Sequence, residues 1–435
     1  MRRINLAFLV AAATAFLGIA LQAQMGGTVP ECDEDSGGLT LPEGFCALVV
    51  AQDLGRARHL VVANNGDVYV AIRNLQNVPG GVMALRDTTG DGRADRREKF
   101  GESGGTGILL RNGYLYLSRD DAVVRFPMME GQLLPSGPVE VVVSGFPEQS
   151  VHPTKSLAFD DRGGLYVNVG NPSNSCTDPD RTRTKGLDPC THLERGGGIW
   201  RYDADRTGQM FERDGRRYVT GIRQTNSLRW SPVTNSVYFM QHGRSLLNLW
   251  PEHYDDELNA ENPAEELLRV EEGVDYGYPY CYYDPQQEKR VRAPEYGGDG
   301  KTVGDCTQYP VPVASFPAHW APNDLLFYTS SYFPPHYSGG AFIAFHGSGS
   351  RTPLPQQGYK LVFQPMQEGR PSGSFETFAD GFSGKSRIMA RDEAAARPVG
   401  LAQGPDGSLY VADSVKGTVW RIVYRGASDS SVQED

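Results

Sequence analysis

Long apolar runs are nearly absent. Beyond the first two dozen residues no stretch approaches 20 consecutive apolar side chains, about the length a spanning helix needs, so no further membrane-spanning helix is expected. C-x-x-C-H does not occur, which excludes a c-type haem attached to this chain. Sustained helical periodicity is missing as well, with only short pieces such as 262–270 reading at a helical period. Basic residues are outnumbered, 42 Lys and Arg against 53 Asp and Glu. That balance speaks against nucleic acid or anionic membranes as partners and for a small molecule or a protein.

What is present starts with MRRINLAFLVAAATAFLGIALQAQ. Two arginines, an apolar run over 6–21 and small residues near Ala23 have the layout of a secretory signal peptide over residues 1–24, an uncleaved N-terminal anchor being the rival reading. Cleavage there removes Arg2 and Arg3, taking the net charge from −11 to −13. All six cysteines follow this segment. An even number in an exported chain implies disulfides, with fifteen connectivities available. Pairing neighbours closes short loops and gives Cys32–Cys46, Cys176–Cys190 and Cys281–Cys306. The expected location is periplasmic or secreted, with no membrane span after cleavage.

A unit recurs along the chain: an apolar stretch, a Gly/Asp turn, then a tyrosine-centred strand. It reads HLVVANNGDVYVAIRN from His59, GILLRNGYLYLSRDDAVVRF from Gly107, SLAFDDRGGLYVNVGN from Ser156 and SLRWSPVTNSVYFMQHG from Ser227. A degraded copy starts at Asp324 and a last one, GLAQGPDGSLYVADSVKGTVWRIVY, at Gly400. Alternation marks strands, and Asn65-Gly66 and Asp406-Gly407 mark hairpin turns. Six multi-strand copies predict an all-β fold, a six-bladed β-propeller over 40–425, because a closed ring leaves only short edges exposed. A pair of β-sandwiches fits the unit less well. The interval 245–322 is expected to be loop insertions on one face, and 426–435 a disordered tail.

His152, Arg223, His346, Arg351 and Arg397 stand at similar strand-start or strand-end positions in different copies. In a propeller such positions converge on the central channel. Arginines there attract a polyanion, since the guanidinium fork matches carboxylates, and a histidine among them suits a general base.

The ordered set HPTKSLAF…LYVNVGNPSN, TGIRQ, QHGR, NPAEEL…GVDYGYPYC, APNDLLFY…AFHGSGSR and RPVGLAQGPDGSLYVAD…VWRI resembles the soluble quinoprotein sugar dehydrogenases, nearest to their sorbosone- and pyranose-dehydrogenase-like branch. The resemblance spans roughly residues 40–425. It implies a six-bladed enzyme using pyrroloquinoline quinone (PQQ) and Ca2+ to oxidise an aldose- or sorbosone-like sugar hydroxyl by hydride transfer to PQQ, with electrons leaving to an external acceptor such as a cytochrome or quinone. His152 matches the family's base and Arg223 the arginine beside the quinone, with Gln224 next to it. Gly243 and Arg244 match the backbone carbonyls that hold calcium. Arg397, with His346 and Arg351, matches the positions that hold the cofactor's carboxylates.

There are departures from the family pattern. The family commonly has Arg-Asn where this chain has Arg223-Gln224, and Asn171 stands near the place of an aspartate that backs the histidine in glucose-oxidising members. An amide cannot stabilise an imidazolium as a carboxylate does. DTTGDGRADRRE, residues 87–98, has Asp87, Asp91, Asp95, Gly92 and Glu98 at calcium-loop positions but Thr89 at the third, and a solvated hairpin turn is the competing reading. The aromatics over 276–283 suit either sugar stacking or loop packing, and His242 and His319 read as ordinary loop residues. Two other functions compete: a gluconolactonase-type hydrolase, which needs carboxylate and asparagine metal ligands in the channel, and a non-catalytic propeller that binds a glycan or a protein.

Overall fold

The computed structural model describes residues 29–426. The signal peptide expected over 1–24 and all but the first residue of the tail expected over 426–435 lie outside the described residues. Six sheets form the blades, each with four antiparallel strands, and the second and third blades add a short parallel fifth strand. Their innermost strands are Ala57–Val62, Ile108–Arg111, Leu157–Phe159, Leu228–Ser231, Pro322–Phe327 and Pro398–Gln403. Each touches the next, and the last touches the first, so the ring closes. All six repeat copies read from the sequence supply the two inner strands of a blade.

Hydrophobic packing lies between the blades. In Val68–Ile72, Tyr69 and Ala71 face the second blade while Val68, Val70 and Ile72 face the sixth. The period of two thus sends alternate side chains into two different interfaces, and both faces are buried. Six such clusters correspond to the six junctions. Tight turns join the strands: Gly66 and Gly407 have φ of 90° and 88° at the two hairpins expected to need them. The sixth blade takes its fourth strand, Phe45–Ala51, from the N-terminal side, paired antiparallel with Val419–Tyr424.

Two readings need correction. Residues 262–270, read at a helical period, hold the strand Glu265–Arg269, the third of the fourth blade; the helix lies earlier, over Asp256–Glu261. Leu267 and Leu268 are buried toward opposite neighbours, so an apolar pair that looks helical is a strand with two covered faces. For the same reason 245–322 is not insertion alone. It carries that strand and Ala314–Phe316 of the same blade, with an extra hairpin, Cys281–Asp284 and Lys289–Arg292, between them. The cysteines pair as neighbours: Cys32–Cys46, Cys176–Cys190 and Cys281–Cys306. Among the described residues no helix is long and apolar enough to cross a membrane.

Candidate functional site

Loops that enter the innermost strands and loops that leave the second strands open on one face of the ring. His152, Arg223 and Arg397 stand on the former; Asn171, His242 and His346 stand on the latter.

His152 has φ of 54°, a left-handed conformation unusual outside glycine. Its Nδ1 lies 2.6 Å from the carbonyl oxygen of Asn171. A carbonyl only accepts, so Nδ1 carries the proton and Nε2 keeps its lone pair. Nε2 has no protein partner among the described residues. Burial, and then the Arg223 guanidinium, hold His152 well below the usual histidine range, so it is neutral near pH 7. The partner is the main chain of Asn171, while its side chain accepts from Ser173; the amide is not where a supporting aspartate would act.

Arg223 donates from Nε to Asn174 O at 3.1 Å and from Nη2 to Asn174 Oδ1 at 3.0 Å. Its Nη1 is left without a protein partner. Burial lowers it to about 10, still cationic. Arg397 donates to the carbonyls of His346 and Gly347 and is likewise lowered by burial to about 10. His346 is tied through Nε2 to Ser414 Oγ at 2.7 Å. Burial, Arg397 and Arg58 hold it well below its normal range.

Arg58 is the residue sequence reasoning missed. It is 8% exposed, its Nε has no partner, and it makes no hydrogen bond or ion pair among the described residues. Burial, and next the charge of Arg73, lower it to about 9. The signal was available: Arg58 stands one residue ahead of the first copy's start at His59, the place that Lys155 holds ahead of Ser156 in the third. Lys155 is fully buried, donates to Pro153 O at 2.5 Å and is lowered by burial to about 8. His242, read as a loop residue, lies on the channel wall with Nε2 on Pro322 O at 2.7 Å, held at about 4 by burial.

Other expected site residues are differently engaged. Arg351 forms an ion pair with Glu261 at 2.6 Å and donates to Ala260 O and Pro355 O, which leaves it little capacity for a ligand. Gln224 turns its amide to Thr154 and Asn226. The Arg244 side chain pairs with buried Glu295. The carbonyls of Gly243 and Arg244 accept no hydrogen bond among the described residues, so both remain available to a cation. Beside them Glu265 is buried without a cationic partner, accepts from Gly243 N and Ala321 N and is raised by burial to about 7.

The 87–98 loop is a hairpin turn closed on itself. Asp87 accepts from Thr89 N, Gly90 N and Gly92 N, and Asp95 accepts from Thr88. Among the described residues the one His/Cys/Asp/Glu group close enough to share an ion is Cys176, Cys190 and His192, whose cysteines are bridged. The aromatics of 276–283 serve packing: Tyr276 meets Phe239 edge-on, Tyr278 donates to Ser173 O, and the hydroxyls of Tyr282 and Tyr254 are paired. His319 is buried on Asn259 O.

The site is therefore a channel mouth rich in buried cations, one of them unpaired, facing a neutral histidine with a free Nε2. An unpaired buried charge is costly, and an anionic ligand relieves that cost. Two unoccupied carbonyls beside an unpaired carboxylate suit a hard cation.

The TrAA12-like family model matches residues 39–425. The calcium structure of Trichoderma reesei Carbohydrate-Active Enzymes Family AA12 superposes with a TM-score of 0.72 at 18% identity, covering 89% of this chain and 97% of that one. The holo form of the pyranose dehydrogenase PQQ domain from Coprinopsis cinerea gives 0.70 at 18% identity, over 88% and 97%. The soluble aldose sugar dehydrogenase of Escherichia coli, in the apo form, gives 0.56 at 18% identity, over 88% and 100%. These likenesses show the six-bladed fold. No curated protein matches the chain.

Proposed function

This chain belongs to the TrAA12-like family, and on that footing we propose that it is a PQQ- and calcium-dependent oxidoreductase that oxidises a sugar hydroxyl, of an aldose or a sorbosone-like substrate. The observation that carries the reading is Arg58: a buried guanidinium with no ion-pair partner among the described residues, close to Arg397 and His346. A tricarboxylate neutralises such a cluster. When bound, PQQ accepts two electrons and calcium polarises it as a Lewis acid.

The chain's own groups divide the remaining work. Arg58 and Arg397 hold carboxylates. The Gly243 and Arg244 carbonyls hold the ion, with Glu265 as nearby negative charge. Arg223 keeps a cation where negative charge develops. His152 would take the hydroxyl proton on Nε2 as the carbon bearing that hydroxyl loses its hydrogen as hydride to the quinone and becomes a carbonyl, while Nδ1–H stays on Asn171 O and keeps the ring in place. The electrons then pass to an external acceptor, a cytochrome or a quinone. Three disulfides suit a periplasmic or secreted enzyme. Against the hydrolase alternative, no three His, Cys, Asp or Glu side chains gather in the channel among the described residues.

The test adds PQQ and Ca2+ to apoprotein and follows the absorption spectrum, then adds a panel of aldoses. Capture of PQQ only with Ca2+ present, followed by bleaching on sugar addition, is expected. Failure to capture PQQ overturns the reading and leaves a binding propeller.

A further inference from the structure

A chain of hydrogen-bonded side chains runs beneath His152 across four blades. His59 Nε2 lies 2.9 Å from Asn323 O, and Asn226 Nδ2 donates to Asn323 Oδ1 at 2.9 Å. Asn226 Oδ1 accepts from Thr154 Oγ1 at 2.6 Å and from Gln224 Nε2 at 3.0 Å. Gln224 Nε2 also donates to Thr154 Oγ1 at 2.7 Å, and Gln224 Oε1 accepts from Asn168 Nδ2 at 3.3 Å. Asn168 Oδ1 accepts from Ser156 N and Oγ. His59, Thr154, Gln224 and Asn323 thus lie on or at the entry to the innermost strands of the first, third, fourth and fifth blades.

Gln224 grips the histidine loop at two points. Its side chain holds Thr154, two residues past His152. It also lies against Gly170: a Cβ there would come 2.1 Å from Gln224 Oε1 and 2.6 Å from His152 Cβ. Next to Gly170 is Asn171, whose carbonyl receives His152 Nδ1–H and whose N–H donates to Arg223 O at 2.8 Å. The Arg223-Gln224 dipeptide therefore fixes both supports of the imidazole, one through its main chain and one through its amide. His152 needs such fixing, because a left-handed non-glycine conformation persists only where its surroundings over-determine it. An amide suits the position better than a carboxylate: it donates to Thr154 and Asn226 and accepts from Asn168 without placing a charge below a neutral histidine.

We propose that Gln224 is a positioning residue for His152, acting through Thr154 and the packing on Gly170, and not a contact to the cofactor. The assignment rests on the proposed function for the meaning of the site, but its readout does not. Imidazole NMR signals of apoprotein labelled in histidine, with His152 identified by its loss in His152→Ala, report the tautomer directly. Wild type is expected to show the Nδ1–H form. Gln224→Leu and, independently, Thr154→Val are expected to shift these signals and mix the tautomers. In Gln224→Leu, kcat for cofactor reduction is expected to fall at least tenfold with the PQQ Kd within about threefold of wild type. Unchanged imidazole signals in the variants that fold overturn the proposal, as does a tenfold weaker PQQ Kd with the signals unmoved, which returns Gln224 to the cofactor. If Gln224→Leu does not fold, Thr154→Val, which removes the hydroxyl that Gln224 holds without touching His152, decides. A wild type that captures no PQQ overturns the proposed function, while the imidazole signals still decide the positioning role.

Discussion

The imidazole of His152 and the main-chain carbonyl of Asn171 are joined by a 2.6 Å hydrogen bond, which leaves Nε2 as the basic atom. His152→Ala should lower the rate of PQQ reduction by sugar about 10²–10⁴-fold, the usual contribution of a general base. PQQ affinity should stay nearly intact. Because the ring is held well below its ordinary range, the wild-type rate should not fall between pH 8 and 6. Single-turnover reduction across that range checks both. A variant that melts earlier yet reduces at the wild-type rate would make the residue structural.

Arg58 and Arg351 should behave oppositely. Arg58 has no partner to lose, so Arg58→Ala removes a charge-assisted bond to the ligand, worth about 1.5–3 kcal/mol, or roughly 10–150-fold in PQQ Kd. Arg351→Ala breaks its pairing with Glu261 and should lower the melting temperature with little change in Kd. Calorimetric titration with PQQ in Ca2+ separates them. Equal affinity losses would place the carboxylate pocket at Arg351 as well.

Stability should fall in mild acid. His59, His152, His242, His319 and His346 are all held low, with burial the leading cause, and His242 and His319 sit at about 4. The unfolded chain titrates near 6.5, so it binds more protons between these values. The folded state is thus at full advantage above pH 6.5 and loses it as the pH falls toward 4. His242 and His319 each withdraw on the order of 3 kcal/mol over that interval. Glu265, raised to about 7, acts in the opposite sense: its contribution is present at low pH and is lost as the pH rises through 7. Five histidines outweigh one glutamate, so melting temperatures should be highest above about pH 7 and drop as the pH falls from there to 4.5. A flat profile would contradict buried neutral histidines.

Glu266 and Arg290 form a fully buried pair at 2.6 Å, and Glu266 also accepts from Gln241, whose Oε1 receives Arg223 N. Glu266→Ala leaves Arg290 charged and unpaired, which costs about 3–5 kcal/mol. A clear loss of melting temperature is expected, and replacing both partners with apolar residues should recover part of it. A single variant as stable as wild type would show the pair to be dispensable.

The ring was legible because each repeat copy names its own turn: Asn65-Gly66 and Asp406-Gly407 bracket strands whose alternate residues pack into two junctions. The strand Phe45–Ala51 carried no comparable sign, since its partner Val419–Tyr424 lies at the other end of the chain. In the site, position within the repeat pointed to His152, Arg223 and Arg397, because strand entries converge on the channel in any propeller. Position alone could not say which guanidinium is already satisfied. Arg351 meets Glu261 on a helix of the fourth blade's insertion, and Gln224 meets Thr154 across a blade junction. Both partners come from distant segments, and that also hid the solitary state of Arg58.

The clasp between Phe45–Ala51 and Val419–Tyr424 governs how the molecule is made. Synthesis delivers the first of these strands early and the second last, so Phe45–Ala51 waits without a partner while five blades are built. A chain stopped before Tyr424 loses a strand at its end and strands another at its beginning, leaving the two blades that flank the gap without a shared wall. The same clasp marks where the polypeptide can be recut. Joining the present ends and opening the loop between the first and second blades, 101–107, would move the seam to a new junction. Every channel-facing loop except the severed one would keep its connections, and the last pairing to form would then be a blade boundary instead of a strand.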